Sequence, residues 1–221
     1  HVVNNGGAEG GCARRGITPL LCCYAPRCNW QEQGGGMSIH GQSAEHVQKG
    51  AGLLGTTLVL GGARSGKIRY AEASITAHPA PWVYVATGRA FDTEMQERIA
   101  HHQQSRAEGW LTVEEPFGVP DIMRAHSTSP VLLDCLTLWL TNLMLEEYDI
   151  TAATHQLIQA LATRQAPTVL VGNEVGLGIV PENRLARRFR DEAGLMHQKL
   201  AAQVGHVVFV AAGLPLVLKG G

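Results

Sequence analysis

The stretch TLVLGGARSGKIRYAEASI, from Thr57 to Ile75, combines residue types that could bind phosphate. An apolar strand pattern runs into a glycine-rich turn, then into a lysine and a helical pattern. Gly61, Gly66 and Lys67 match the phosphate-binding pattern G-x-x-x-x-G-K-[ST]. Such a turn lets a phosphate meet backbone N–H groups at a helix N-terminus, and the lysine adds a mobile positive charge. The stretch predicts a nucleotide site. The alternative is a glycine-rich turn that carries an incidental lysine.

Ile68 is the one position at which this stretch departs from the pattern. A Ser or Thr at that position normally supplies a hydroxyl to Mg²⁺. Isoleucine has no oxygen to offer, so the usual metal contact is missing. Arg64 lies nearby as a second cation for the phosphates. We therefore expect phosphate binding with an altered metal shell.

A second candidate lies at the end of the strand pattern PVLLDC, where Asp134 follows a run of apolar residues. Proteins with this kind of loop use such an acid to hold Mg²⁺ or its water shell. Many strands end in Asp because the residue favours turns, so the pattern alone is weak. Together with the loop, Asp134 becomes the candidate magnesium ligand.

The helical pattern FDTEMQERIAHHQQSR contains two adjacent histidines. At helical spacing one stripe is mostly apolar and consists of Met95, Ile99 and His102. The other stripe is polar and consists of Glu94, Arg98 and His101. His102 is therefore expected to face the packed side or a cleft, with His101 closer to solvent. From spacing alone, a core histidine with a satisfied hydrogen bond is the simpler alternative.

The composition argues against a nucleic-acid-binding protein and against a membrane-spanning one. The chain has 221 residues, of which 45% are hydrophobic and 17% charged, enough for a full core. Its net charge is -1 and its pI about 6.9, so we expect no nucleic-acid partner. No apolar run approaches the roughly 18 residues of a membrane span. Cys135 lies in an apolar segment and is interpreted as a buried small hydrophobe, and the cysteine pattern favours a reducing cytoplasm.

The chain divides into two predicted parts, residues 1–54 and residues 55–221. The first part has glycine clusters such as NNGGAEGG and QGGGM and no sustained period of 2 or 3.6. Such a composition cannot bury enough apolar area to offset the entropy of ordering. We predict that it is a largely disordered extension.

The second part alternates strand and helix patterns. Five short apolar runs predict buried parallel strands: TLVL, WVYVA, VLLDC, TVLVGN and HVVFVAA. LPLVLK near the end could form an edge strand. Five helices are predicted between them, over Ser65–Ala77, Thr93–Glu108, Leu136–Glu147, Thr151–Arg164 and Asn183–Val204. This alternation is typical of an α/β domain with a mostly parallel sheet, in which ligands bind beyond the carboxyl ends of the strands.

Several long segments together resemble a known family. They are GGARSGK, DTEMQERIAHH, VEEP, LLDCLTLWLTN and GNEVGLGIVPENRLARRFRDEAGLMHQKLA. In order and spacing they are similar to the bifunctional adenosylcobinamide kinase / adenosylcobinamide-phosphate guanylyltransferase of cobalamin biosynthesis. The resemblance extends from Thr57 to Lys219. It implies a three-layer P-loop NTPase fold of the RecA-like type, with a mostly parallel sheet flanked by helices.

The resemblance implies a two-step enzyme that uses ATP, GTP and Mg²⁺. ATP or GTP would first phosphorylate the terminal hydroxyl of adenosylcobinamide. GMP from GTP would then pass to that phosphate through a covalent GMP-histidine, giving adenosylcobinamide-GDP. The family pattern Arg-Ile-x-x-His matches Arg98, Ile99 and His102, so the resemblance assigns the nucleophile to His102. A neutral imidazole can attack the α-phosphorus, and the resulting phosphoramidate is reactive enough to pass GMP on.

The resemblance also implies a set of nucleotide contacts, with Lys67 as a catalytic residue. Glu114 alone could equally be a solvated acid, and Arg106 a cation at a helix C-terminus. Asn173 and Glu174 begin a loop that shapes the substrate side or a subunit contact. The family forms homotrimers. The implied nucleotide contacts are Gly61, Gly62, Ala63, Arg64, Ser65, Gly66, Lys67, Ile68, Gly88, Arg89, Ala90, Gln103, Gln104, Ser105, Arg106, Glu114 and Asp134.

The family carries Ser where this chain has Ile68. Electrostatic stabilisation of the phosphates is the main catalytic effect in phosphoryl transfer, so we predict weakened kinase activity. Guanylyl transfer should be less affected, because His102 is present. Three alternatives stay open: a small-molecule P-loop kinase without the histidine step, a nucleotide-binding protein without catalysis, and a structural α/β protein with an empty loop.

Overall fold

The structure is a computed structural model and describes residues 51–89 and 108–220. Within these ranges the chain forms one sheet and several helices. The strands are β1 (Thr56–Gly61), β2 (Trp82–Ala86), β3 (Trp110–Glu114), β4 (Val131–Asp134), β5 (Thr168–Asn173), β6 (His206–Ala211) and β7 (Leu214–Lys219). The helices are α1 (Ala51–Leu54), α2 (Lys67–Thr76), α3 (Val119–Ala125), α4 (Leu136–Leu145), α5 (Ile150–Ala162) and α6 (Arg184–Gln203).

The seven strands lie in the order β3-β2-β4-β5-β1-β6-β7. All neighbouring pairs are parallel except β6 and β7, which are antiparallel. The chain therefore brings the carboxyl ends of six strands to one edge of the sheet. The predicted mostly parallel α/β fold is confirmed.

Helices cover both faces of the sheet because the central strands are apolar on both sides. Leu58 and Leu60 belong to a cluster that includes residues of α3, α4, α5 and α6. Val59, between them, belongs to a second cluster on the other face, with Ala71 and Ile75 of α2. Successive side chains of a strand point to opposite faces, so β1 is buried on both. The result is three layers: helix, sheet and helices.

Most predicted elements are present, with ends that differ by a few residues. WVYVA and TVLVGN have the predicted bounds, and LPLVLK is the predicted edge strand. Strand β3 and helix α3 were not predicted from the sequence. Strand β3 is half exposed and has no continuous apolar run, whereas α3 is only seven residues long. The helix predicted over Thr93–Glu108 falls, apart from its last residue, outside the described residues.

Part of the predicted extension is folded. Helix α1 buries Leu53, and the Leu53 carbonyl accepts a hydrogen bond of 2.8 Å from Gly205 N. The domain boundary between residues 54 and 55 stays a prediction. In the described ranges, no helix is both long and apolar enough to cross a membrane.

A buried arginine ties together the segments at the amino ends of β4 and β5. Arg164 is 1% exposed, and its guanidinium donates to the carbonyl oxygens of Met123, His126 and Ser129 at 2.9, 3.0 and 2.6 Å. It also donates to Thr168 Oγ1 at 2.5 Å. Burial lowers the pKa of Arg164 to about 10, so the group keeps its charge at neutral pH. This arrangement holds the edge of the sheet that lies opposite the phosphate loop.

Candidate nucleotide-binding site

The phosphate-binding loop connects β1 to α2, as predicted. Two of its residues have positive φ, Arg64 at 54° and Gly66 at 92°. The left-handed conformation of Gly66 leads directly into the first turn of α2. The backbone therefore turns sharply at the end of the strand and starts a helix whose first N–H groups have no partner within the helix. This is the geometry that the G-x-x-x-x-G-K pattern predicts for an anion site.

Lys67 is buried in this loop, with 7% of its surface exposed. Its Nζ donates to Gly62 O at 3.0 Å, its one hydrogen bond to any described residue. Burial lowers the pKa of Lys67, while Cys135 and Asp134 act in the opposite direction. Because the Cys135 thiol keeps its proton at neutral pH, Asp134 is the charge that stabilises the ammonium there. Two further N–H donors of Lys67 remain for an anion.

Ile68 turns toward the interior and packs against the cluster that contains Val59, Ala71 and Val171. A partly buried apolar side chain therefore lies where the pattern has the hydroxyl of Ser or Thr. It offers no ligand to a metal. The weakened kinase activity predicted from Ile68 stays a prediction.

Asp134 lies at the carboxyl end of β4, two strands from the loop, because β5 lies between β4 and β1. At the usual strand spacing this separates the two backbones by about 10 Å. Tyr84 OH donates a short hydrogen bond to Asp134 Oδ2. Tyr84 is 2% exposed and packs edge-on against Trp110, with ring centroids 6.0 Å apart. A fixed aromatic side chain therefore orients the carboxylate.

The carboxylate of Asp134 suits Mg²⁺, because a metal that takes most of its ligands from protein side chains would need more such groups nearby. Among residues 51–89 and 108–220, no group of three or more His, Cys, Asp or Glu could hold a metal ion. Mg²⁺ in nucleotide sites is commonly bound by one or two carboxylates together with substrate phosphates and water. Asp134 fits that role because Tyr84 occupies only one of its oxygens.

A hydrogen-bonded network connects the ends of β2, β4 and β5. Thr87 Oγ1 donates to Cys135 O at 2.7 Å and accepts from Cys135 N at 2.9 Å. Asn173 Nδ2 donates to Thr137 Oγ1 at 2.9 Å. Cys135 Sγ in turn accepts from Leu138 N and caps α4. The network sets the positions of the strand ends around Asp134.

Cys135 is 3% exposed, which confirms its interpretation as a buried small residue. Burial, followed by the charge of Asp134, raises the pKa of the thiol to about 11. A thiol that stays protonated is a poor nucleophile. Cys135 therefore serves the site through packing and helix capping.

Arg89 follows β2 and forms an ion pair with Glu146, with 2.8 Å between Nη1 and Oε1. Its guanidinium also lies 5.5 Å from the centre of the Phe117 ring. Phe117 stacks on Tyr148, with ring centroids 5.6 Å apart. A cavity of about 540 Å³ is lined by Phe117, Glu146, Glu147 and Tyr148. The structure thus places Arg89 beside an aromatic and acidic cavity.

Glu114 ends β3 and is exposed, in register with Ala86 at the end of β2. Gly88 precedes Arg89 at the same edge of the sheet. The remaining predicted site residues fall outside the described residues: Ala90, His102, Gln103, Gln104, Ser105 and Arg106. The described part of the site therefore consists of the loop, Asp134 and the residues that follow β2 and β3.

Tyr84 and Thr87 were not predicted as site residues from the sequence. Both contacts join residues far apart in the sequence, so no local motif marks them. The register gives one clue, because Tyr84 pairs with Leu132, which lies on the same sheet face as Asp134. A long side chain at that position can reach the strand end of its neighbour.

Comparison with known proteins agrees with this geometry. Residues 57–218 match the family model described as cobinamide kinase / cobinamide phosphate guanyltransferase. The chain belongs to this family. It is 43% identical over 167 residues to the bifunctional adenosylcobalamin biosynthesis protein CobP of Pseudomonas aeruginosa, covering 74% of this chain and 96% of the relative. It is also 43% identical over 179 residues to the bifunctional adenosylcobalamin biosynthesis protein CobU of Escherichia coli, covering 73% of this chain and 98% of the relative.

Solved structures similar to the chain are remote in sequence. The flagellar accessory protein FlaH from Methanocaldococcus jannaschii has a TM-score of 0.42 and 12% identity, over 74% of this chain and 77% of that chain. An ATPase of a bacterial type III secretion system has a TM-score of 0.43 and 11% identity, over 75% of this chain and 59% of that chain. Structural similarity at this level says nothing about function.

Proposed function

We propose that this chain is a bifunctional enzyme of cobalamin biosynthesis that phosphorylates adenosylcobinamide and then transfers GMP to the product. The proposal rests mainly on one observation. This member of the family has a phosphate-binding loop in which the buried Lys67 donates one hydrogen bond to the described residues. Its other N–H donors can therefore bind a phosphate. The nucleotide is ATP or GTP in the first step and GTP in the second.

In the first step the loop N–H groups and Lys67 hold the β- and γ-phosphates. The N–H dipoles and the Lys67 ammonium stabilise negative charge that develops during transfer to the substrate hydroxyl. Asp134, oriented by Tyr84, and the phosphates would hold Mg²⁺, which neutralises phosphate charge when bound. Gly88, Arg89 and Glu114 are proposed to contact the ribose or base.

In the second step His102 acts as the nucleophile. Its neutral imidazole attacks the α-phosphorus of GTP and pyrophosphate leaves. The phosphate of adenosylcobinamide-phosphate then attacks the GMP-histidine, which regenerates the imidazole. Ala90, Gln103, Gln104, Ser105 and Arg106 complete the proposed nucleotide contacts.

We also propose that the chain forms a homotrimer and works in the cytoplasm. The surface offers apolar area that a subunit contact would bury. Leu177 and Ile179, in the loop after β5, are 82% and 97% exposed. Leu214 and Leu216 on the edge strand β7 are 72% and 60% exposed. Clusters of exposed apolar residues often mark protein interfaces.

The test is product formation from adenosylcobinamide, GTP and Mg²⁺. We expect adenosylcobinamide-phosphate to appear first and adenosylcobinamide-GDP with pyrophosphate to follow. Supplying adenosylcobinamide-phosphate directly separates the two steps. Nucleotide binding without any product from either substrate would favour a non-catalytic nucleotide-binding protein.

The Ile68→Ser variant tests the predicted weakness of the kinase step. Restoring the hydroxyl should raise kinase kcat/KM, with less change in guanylyl transfer. Because Ile68 packs against the apolar cluster, the same change should cost about 1–2 kcal/mol of stability. An unchanged kinase kcat/KM in a folded variant would refute the metal argument.

A further inference from the structure

The turn between β6 and β7 packs directly against the phosphate loop. Gly213 N donates to Ser65 O at 2.8 Å. A Cβ atom built on Gly66 would lie 3.0 Å from Gly213 Cα, so the two backbones are in close contact. Arg69 of α2 completes the contact, since a Cβ on Gly213 would lie 3.1 Å from Arg69 Nη2. A hairpin near the end of the chain thus supports a loop near the start of the domain.

The turn has a conformation that restricts which residues can form it. Ala211 pairs with Leu214, so Ala212 and Gly213 are its central residues. Their φ angles are 51° and 80°. Positive φ at both central residues is the property of a type I′ turn, which favours Asn followed by Gly. Gly213 suits its position, whereas Ala212 adopts a left-handed conformation that alanine disfavours.

The loop itself has few internal contacts. Ser65 N donates to Gly62 O at 3.3 Å and Lys67 Nζ donates to the same carbonyl at 3.0 Å. Ser65 Oγ is buried and has no hydrogen-bond partner among the described residues. The Gly213 N–H therefore gives the loop a hydrogen bond from outside it, at Ser65 O, as Glu174 N does at Gly61 O with a distance of 3.0 Å. A site that is ordered in advance loses less binding free energy to ordering.

We propose that Gly213 is a positioning residue for the phosphate loop. Its N–H fixes the Ser65 carbonyl, and its missing side chain lets the turn approach Gly66. This inference depends on phosphate binding by the loop, which belongs to the proposed function. It does not depend on which reaction follows.

The experiment compares Gly213→Ala with Gly109→Ala. Gly109 also has positive φ, at 105°, and a Cβ there would lie 3.0 Å from Trp82 Cζ3. It precedes β3, at the opposite edge of the sheet from the loop, so it matches the backbone strain without the loop contact. Two quantities are measured: amide hydrogen exchange of residues 62–66 without nucleotide, and the Kd for GDP with Mg²⁺.

We expect Gly213→Ala to speed exchange in residues 62–66 and to raise the Kd for GDP about five- to tenfold. Gly109→Ala should lose comparable thermal stability and change neither quantity. Equal Kd values in the two variants, or unchanged exchange in the loop of Gly213→Ala, would overturn the proposal. A wild type that binds no GDP would contradict the proposed function, whereas loop exchange would still test the role of Gly213.

Two further variants extend the test. Gly213→Asn keeps the N–H and tolerates positive φ, so a smaller effect in the same direction is expected. It replaces Gly213→Ala if that variant does not fold, and wild-type exchange together with wild-type affinity would then count against the proposal. Ala212→Asn should relieve strain in the turn, slow exchange in the loop and tighten GDP binding about twofold.

Discussion

Lys67 and Arg164 are both buried cations, near opposite ends of the same sheet, and they differ in how their N–H groups are used. Arg164 donates four hydrogen bonds to carbonyl and hydroxyl oxygens. Lys67 donates one to the described residues. A buried cation that uses most of its donors, as Arg164 uses four of five, stabilises the fold. A buried cation with unused donors makes the empty site less stable. The second kind is suited to bind an anion.

The largest expected effect comes from Arg164→Met. The variant keeps much of the side-chain volume but leaves four oxygen acceptors without their donor. We expect the free energy of unfolding to fall by about 3–5 kcal/mol. Urea denaturation measures it, and GTP affinity of the folded variant should match wild type. A loss of stability below about 1 kcal/mol would show that water replaces the guanidinium easily.

The next largest effect is on nucleotide affinity and not on stability. Lys67→Met should weaken GTP binding about 100-fold, because a charged hydrogen-bond donor to phosphate is lost. Burial lowers the pKa of Lys67, so its charged form is less favourable in the folded state than in the unfolded one at neutral pH. Removing the charge should therefore leave Tm unchanged or raise it. Calorimetric titration and thermal melts check both, and a large fall in Tm would contradict this distinction between the two cations.

Tyr84→Phe should have a more limited effect on the same site. Asp134 would lose the hydroxyl that orients it, as happens when the partner of a metal ligand is removed. We expect the Mg²⁺ concentration for half-maximal nucleotide binding to rise about tenfold. Tyr70→Phe is the control, because Tyr70 packs at the border of the same apolar cluster. The same shift in both variants would mean that packing, not the hydroxyl, matters.

The smallest effect concerns His197, a buried residue of α6 whose Nε2 has no hydrogen-bond partner in the part of the chain that the structure describes. Burial lowers its pKa, and Glu174 partly opposes this shift. The unfolded state therefore binds a proton at His197 more readily than the folded state. The free energy of unfolding has its full value above the unfolded pKa of about 6.5 and decreases as the pH falls below it. His197→Gln should flatten this slope in urea denaturation between about pH 7 and pH 5. His155→Gln, at an exposed position, should keep it, and a wild-type slope in His197→Gln would exclude the residue as its source.

Features carried by local patterns could be predicted from the sequence. The strand Trp82–Ala86, the loop from Gly61 to Lys67 and the edge strand Leu214–Lys219 each have a continuous apolar run or a glycine spacing. Strand β3 escaped prediction because its side chains are partly exposed and mixed. The contacts that shape the site escaped for another reason. Tyr84 with Asp134, and Gly213 with Ser65, meet only through strand order, which no local pattern encodes.

The proposed second step requires a covalent bond between GMP and His102. Peptide mass spectrometry after incubation with GTP and Mg²⁺ tests it most directly. We expect wild type and His101→Ala to gain one GMP on the peptide that contains His102, and His102→Ala to gain none. An adduct that persists in His102→Ala, or no adduct in wild type, would contradict guanylyl transfer through His102.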